Sequence, residues 1–159
     1  NAAQKISRHV TLGQVLGIRS CPQAQQQEVI KNAMNTAWNI LDPLIDKFGS
    51  DVHITSWYRN PPRANHPTGG AVDFRSSNRE NYAKTAEMAA YIRDNLPYEQ
   101  LFLEKNDQGS IHCHVKGAQP GAGASGNIMT CADSACSSKV KGLQLSYAVA
   151  ALKGGGMKA

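Results

Sequence analysis

The chain has 159 residues, 41% hydrophobic and 18% charged, with a formal net charge of +5 at pH 7. That composition describes one domain with room for a real core. It contains no apolar run of membrane-spanning length, and its Lys and Arg are scattered rather than striped, which argues against nucleic-acid binding. The start, Asn1 to Lys5, lacks the apolar segment of a signal peptide and an initiator Met, so the expectation is a processed chain or a piece of a longer one.

Thr11 to Leu16 predicts a short capped helical turn. A long helix is expected from Pro22 to Phe48, where Val29, Ile30, Ala33, Met34, Ala37, Trp38, Leu41, Leu44, Ile45 and Phe48 recur at three- and four-residue steps. Pro43 should bend it near its end and Gly49 stop it. Asp51 to Tyr58 alternates and is rich in β-formers, predicting a strand. Asn60 to Arg63 reads as a loop and Ala71 to Phe74 as a second strand. Asn78 to Asn95 is helical, ended by Leu96-Pro97. Gln100 to Glu104 and Ser110 to Val115 are strands three and four, separated by a polar loop.

Helices followed by a small, mainly antiparallel sheet make an α+β fold. The composition changes after residue 117. Gly117 to Gly126 is a Gly/Ala/Ser-rich loop or linker, and Leu143 to Leu152 reads as one short helix. The division is therefore a main domain over 1–117 and a Gly/Ser-rich extension over 118–159. Cys131 and Cys136 enclose a short loop and read equally well as a disulfide or as free thiols.

Two clusters carry chemistry. In Asn65 to Phe74, His66 and Asp73 flank a glycine turn. A lone turn histidine is ordinarily solvated, but Asp73 sits between Val72 and Phe74, where an unpaired charge is costly and calls for a cation, a metal or several donors. In Ile111 to Val115, His112 and His114 are two apart, so on a strand both face one way and Cys113 faces the core. They form either an exposed ladder or a metal pair. One nitrogen and one oxygen from the first cluster plus one nitrogen from the second make a three-ligand zinc site with a position left for water. All four groups together would close the shell, so one of the two histidines is expected not to bind.

The same residues resemble a family: zinc D-alanyl-D-alanine carboxypeptidases, phage L-alanyl-D-glutamate endopeptidases and the hedgehog signalling domain. The H-x-x-G-x-A-x-D run appears as His66, Gly69, Ala71 and Asp73. The S-G-Y-R run appears as Ser56-Trp57-Tyr58-Arg59, and D-Q-L-I-x-E as Glu99 to Glu104. The hedgehog I-H-C-S-V-K appears as Ile111 to Lys116. The resemblance covers roughly residues 8 to 117. Trp57 replaces the small glycine, Ala64 a serine, and Ser110 a tryptophan.

This resemblance implies a hedgehog/D-Ala-D-Ala peptidase-like fold and Zn2+ held by His66, Asp73 and His112, with His114 at the rim, either supporting a ligand from behind or contacting substrate. Glu104 takes the general-base position, accepting a proton from the attacking water and passing it to the leaving amine. Arg59 faces the substrate, with Ser56 and Tyr58 beside it. The implied activity is cleavage of peptidoglycan stem peptides by a carboxypeptidase or endopeptidase, in a phage virion or outside the cell at the bacterial wall, with virion or tail subunits as further partners. A weak positive charge suits that polyanionic neighbour. The plainer readings are a surface charge for Glu104, a loop charge for Arg59, and a domain that keeps the metal as a structural or binding module of a larger assembly.

Overall fold

A computed structural model of the chain describes residues 1–17, 20–59, 68–120 and 126–154. Among these residues, five α-helices accompany a six-stranded sheet. Helix α1, Leu12–Leu16, starts at Thr11, whose side chain accepts from the Gln14 N–H while the Gln14 side chain accepts from the Thr11 N–H. That reciprocal pair satisfies two donors an isolated helix end leaves open.

The expected long helix is present in pieces. A 3-10 turn, Gln23–Gln25, leads into α2, Gln26–Thr36; a π turn, Ala37–Leu41, follows, and then α3, Asp42–Phe48. Pro43 has no N–H to give the preceding turn, and the widened turn lies immediately before it, where a carbonyl needs another partner. Val29, Ala33, Ala37, Ile40, Leu41 and Leu44 face the core. Met34 and Trp38, expected in the same stripe, are 38% and 51% exposed. Ten apolar positions span more than one helix face, and these two are left outside.

Asp42 anchors the N-terminal segment to this helix. It is fully buried and accepts from the Ser7 hydroxyl at 2.9 Å and from the N–H groups of Arg8 and His9 at 3.1 and 3.0 Å. At the other end of the run, Gly49 adopts φ 59.

The strands are β1 (Val52–Ser56), β2 (Ala71–Ser76), β3 (Tyr98–Lys105), β4 (Ile111–Gly117), β5 (Asn127–Cys131) and β6 (Lys139–Lys141), in the order β1-β2-β4-β3-β5-β6. Every pairing is antiparallel except β3 with β5. Helix α4, Tyr82–Asn95, is capped by the Asn81 side chain, which accepts from the Lys84 N–H; α5 is Leu145–Gly154. The fold is α+β. No described helix is long and apolar enough to cross a membrane.

Period-two alternation gives the sheet two different faces. Val72, Phe74, Leu101, Cys113 and Val115 pack with α2, α3 and α4, while Leu103 and Ile111 pack with Ala148 of α5. Each of the Val, Leu, Ile and Phe side chains withdrawn from water is worth about 1.5–3 kcal/mol. Asp73, Gln100, Phe102, Glu104, His112 and His114 alternate with them, so they share the opposite face. The extension after residue 117, expected to hold a linker and one short helix, also contributes β5 and β6 to this same sheet.

Thr36 ties the helical layer to the sheet. Its hydroxyl donates to the Gly70 carbonyl at 2.6 Å and accepts from the Gly117 N–H at 3.1 Å. Gly69 makes that approach possible. It has φ +81, and a Cβ there would lie 2.5 Å from the Val29 carbonyl oxygen, so the glycine of the H-x-x-G run is required by backbone shape and by α2 together.

Candidate metal centre

The register of three strands assembles the site. Asp73 on β2 lies opposite His114 on β4, and His112 on β4 lies opposite Glu104 on β3. Residues directly opposite in an antiparallel pair point to the same face, so two carboxylates and two imidazoles meet there. All four are buried, between 2% and 7% exposed. One oxygen each of Asp73 and Glu104 and one nitrogen of His112 lie within 4.8 Å of one another. This group could hold a metal ion, and its oxygen and nitrogen donors match those zinc takes in proteins.

The internal contacts are those of charges kept close. His112 Nε2 is 2.7 Å from Glu104 Oε1 and 4.0 Å from Asp73 Oδ2. His114 Nδ1 is 3.1 Å from Asp73 Oδ1, its Nε2 is 3.1 Å from Gln100 Oε1, and its ring stacks on Phe102 with centroids 5.3 Å apart. Burial by itself would lower the His112 pKa below the ordinary 6.5. The bond to Glu104 and the negative charges of Asp73 and Glu104 outweigh both burial and the opposing Arg59, and the net shift is upward. Burial, reinforced by the same two carboxylates, pushes the Cys113 thiol on the core side well up, keeping it unreactive.

A bulge delivers the arginine. Ile54 pairs with Phe74, and an unbroken register would set Ser56 against Val72; the irregularity between Ile54 and Ser56 sets it against Asp73 instead. Thr55 inside the bulge donates its hydroxyl to the Asp73 carbonyl at 3.2 Å. Arg59 then donates Nε–H to the Ser56 hydroxyl at 2.9 Å and reaches Asp73 Oδ2 with Nη2 at 3.3 Å.

Two adjoining cavities open on the group. One of about 470 Å³ includes Phe102, Glu104, His114 and Cys136 in its lining. The other, of about 400 Å³, is lined by Ser56, Arg75 and Arg79 among others, and Arg59, Asp73 and His112 border both. Arg75 and Arg79 donate to backbone carbonyls, of Ser76 and Gln108 respectively. Burial first, and the like charge of Arg79 second, lower the Arg75 pKa below its ordinary value.

Asp73, Glu104, His112, His114, Arg59 and Ser56 are therefore brought together. His66 lies outside the described residues. Tyr58 goes elsewhere: it is 1% exposed in the main core, and burial followed by contact with Cys21 raises its phenol pKa. The β-bulge and the end of β1 break the alternation that would otherwise put Tyr58 on the side of Ser56. Trp57 is buried too, donating its indole N–H to the Gly69 carbonyl at 2.8 Å.

Sequence reasoning missed Gln100, Phe102, Asn106 and Cys136. Counting back by twos from Glu104 would have found the first two. Asn106 shapes the β3–β4 turn, its side-chain oxygen accepting from the N–H groups of Gln108 and Ser110 at 3.0 and 2.9 Å. Cys136 is joined to Cys131 in a disulfide, and its Sγ lies 3.2 Å from Glu104 Oε2. The chain matches no family model and no curated protein.

Proposed function

We propose that the chain is a zinc metallopeptidase that cleaves peptidoglycan stem peptides, a phage-associated protein working at the bacterial cell wall. The observation that carries this reading is the buried convergence of Asp73, Glu104 and His112 on the open face of the sheet, beside cavities large enough for a peptide segment. A buried carboxylate pair is costly unless its charge is balanced; Arg59 on Asp73 supplies part of that balance, and a metal ion would supply more.

Asp73 and His112, with His66, hold the metal in this reading. Zinc bound there supplies Lewis acidity and lowers the pKa of a water to about 7. Glu104 then accepts a proton at one carboxylate oxygen and returns it to the leaving amine. Arg59, braced by Ser56, stands where its guanidinium can hold a substrate carboxylate or a developing negative oxygen. Arg75 and Arg79 extend positive charge along the second cavity, which suits an acidic peptide. The 131–136 disulfide accords with a compartment outside the reducing cytosol.

The test is digestion of purified peptidoglycan by the zinc-loaded protein and by Glu104→Gln. Wild type should release new amino termini and the variant about 100-fold fewer or less, the range lost with a general base. Equal release would end the peptidase reading. Stoichiometric zinc with no turnover by the wild type would favour a metal-holding structural module instead.

A further inference from the structure

We propose that Cys131, Cys136 and Glu104 form a second metal site, one that exists only after the 131–136 disulfide is reduced and that takes a thiolate-binding divalent cation such as zinc. Cys131 pairs with Glu104 across the parallel β3–β5 ladder, so its side chain shares the open face. Cys136 approaches the same carboxylate from the following loop at 3.2 Å. With one ligand atom from each, all three lie within 4.8 Å of one another. Four residues separate the cysteines, a spacing that thiolate zinc sites use.

In the disulfide neither sulfur carries a hydrogen or a thiolate charge. The approach of Cys136 Sγ to Glu104 is then a plain contact, and no metal is drawn to it. A dithiol reductant gives two electrons and two protons to the S–S bond, leaving two thiols and becoming a cyclic disulfide itself. A divalent cation then displaces the two thiol protons and is held by two sulfurs and one carboxylate oxygen.

The loop is built to survive that change. Asp133 accepts from the Ser137 N–H at 3.0 Å, and its carbonyl from the Cys136 N–H at 3.1 Å; Ala132 N–H donates to the Ser138 carbonyl at 2.9 Å. Ser134 donates to Asp107 at 2.9 Å and Lys139 to the Cys136 carbonyl at 3.2 Å. These bonds keep the two sulfurs near each other without the covalent link. One consequence rests on the peptidase reading: an ion at this second site engages the oxygen of Glu104 that does not face His112, and so withdraws the base.

Cobalt(II) titration of the full chain in a Cys21→Ser background tests the site, after reduction by a dithiol that is then removed without air. The reduced protein should bind one cobalt per chain more than the oxidised protein, and that added ion should show sulfur-to-cobalt charge-transfer absorbance. The oxidised protein should lack that band, Cys136→Ser should lose it, and Asp73→Ala should keep it. No band on reduction, or a band that survives Cys136→Ser, overturns the proposal. Glu104→Gln, isosteric and able to fold, should weaken the binding; an unchanged affinity removes the carboxylate from the site. Failure of the oxidised protein to bind any metal would count against the first centre and leave this one standing, so the two readings fall separately.

Discussion

If Asp73 is the pivot of the metal centre, zinc must stabilise the oxidised protein in a way that needs this carboxylate. The size of the effect follows from the chain. Unfolding entropy of about 2.1 cal/mol/K per residue, multiplied by 159 residues, gives about 0.33 kcal/mol/K. Zinc at a hundred times its dissociation constant adds about 2.7 kcal/mol to the native state, and dividing one by the other raises Tm by about 8 °C. Differential scanning calorimetry of disulfide-intact protein, stripped of metal and then titrated, reads this directly. Asp73→Ala should show no rise, and His66→Ala should lose most of it. A shift of the same size in Asp73→Ala would place the ion elsewhere and refute the reasoning, as would no shift at all in the wild type.

Three further outcomes follow from the scaffold. Asp42→Ala strands a buried hydroxyl and two backbone donors, and should cost about 3 kcal/mol in urea unfolding; a loss under about 1 kcal/mol would mean water replaces the carboxylate. Gly69→Ala must carry a side chain at φ +81 against the Val29 carbonyl, and should lose at least about 1–3 kcal/mol from the backbone alone; a neutral result would contradict the close approach of the turn to α2. The Asp46 carboxyl should titrate at about 2 by NMR, held down from 3.8 by its hydrogen bonds to Arg8 and then His9. A depressed folded pKa means its contribution to stability is present above 3.8 and lost as pH falls through about 2. Arg8→Ala should move it back upward, and an unmoved value would break the assignment.

The sequence made some of this legible for physical reasons. Alternation placed Cys113 in the core and His112 with His114 on one face. A carboxylate flanked by Val72 and Phe74 had to be buried, and it is. The capped turn at Thr11 and the stop at Leu96 are local signals that tertiary packing left alone. Other features depended on contacts no local pattern encodes. The bulge that brings Ser56 to Asp73 is a register shift, visible only once β1 and β2 are paired. β5 lies beside β3 across a long connection, and β6 is three residues long; neither carries enough periodicity to stand out. The role of Cys136 follows from that pairing, since nothing near it in sequence points to Glu104.

The two histidines show how one strand divides labour between identical side chains. His114 has an oxygen at each ring nitrogen, Asp73 on one side and Gln100 on the other, and its ring is fixed against Phe102. The Nδ1 contact holds the Asp73 carboxylate in place, and the Nε2 contact with Gln100 fixes the other edge of the ring. A ring so occupied orients a ligand better than it serves as one, and carboxylates that bind metals are characteristically held by such hydrogen bonds. His112 instead points Nε2 between two carboxylates, one at 2.7 Å and one at 4.0 Å. The Glu104 and Asp73 carboxylates favour the protonated ring and raise its pKa, and under the proposed function a metal takes the place of that proton. The two carboxylates that favour a proton on His112 would, under the proposed function, favour a bound cation for the same reason.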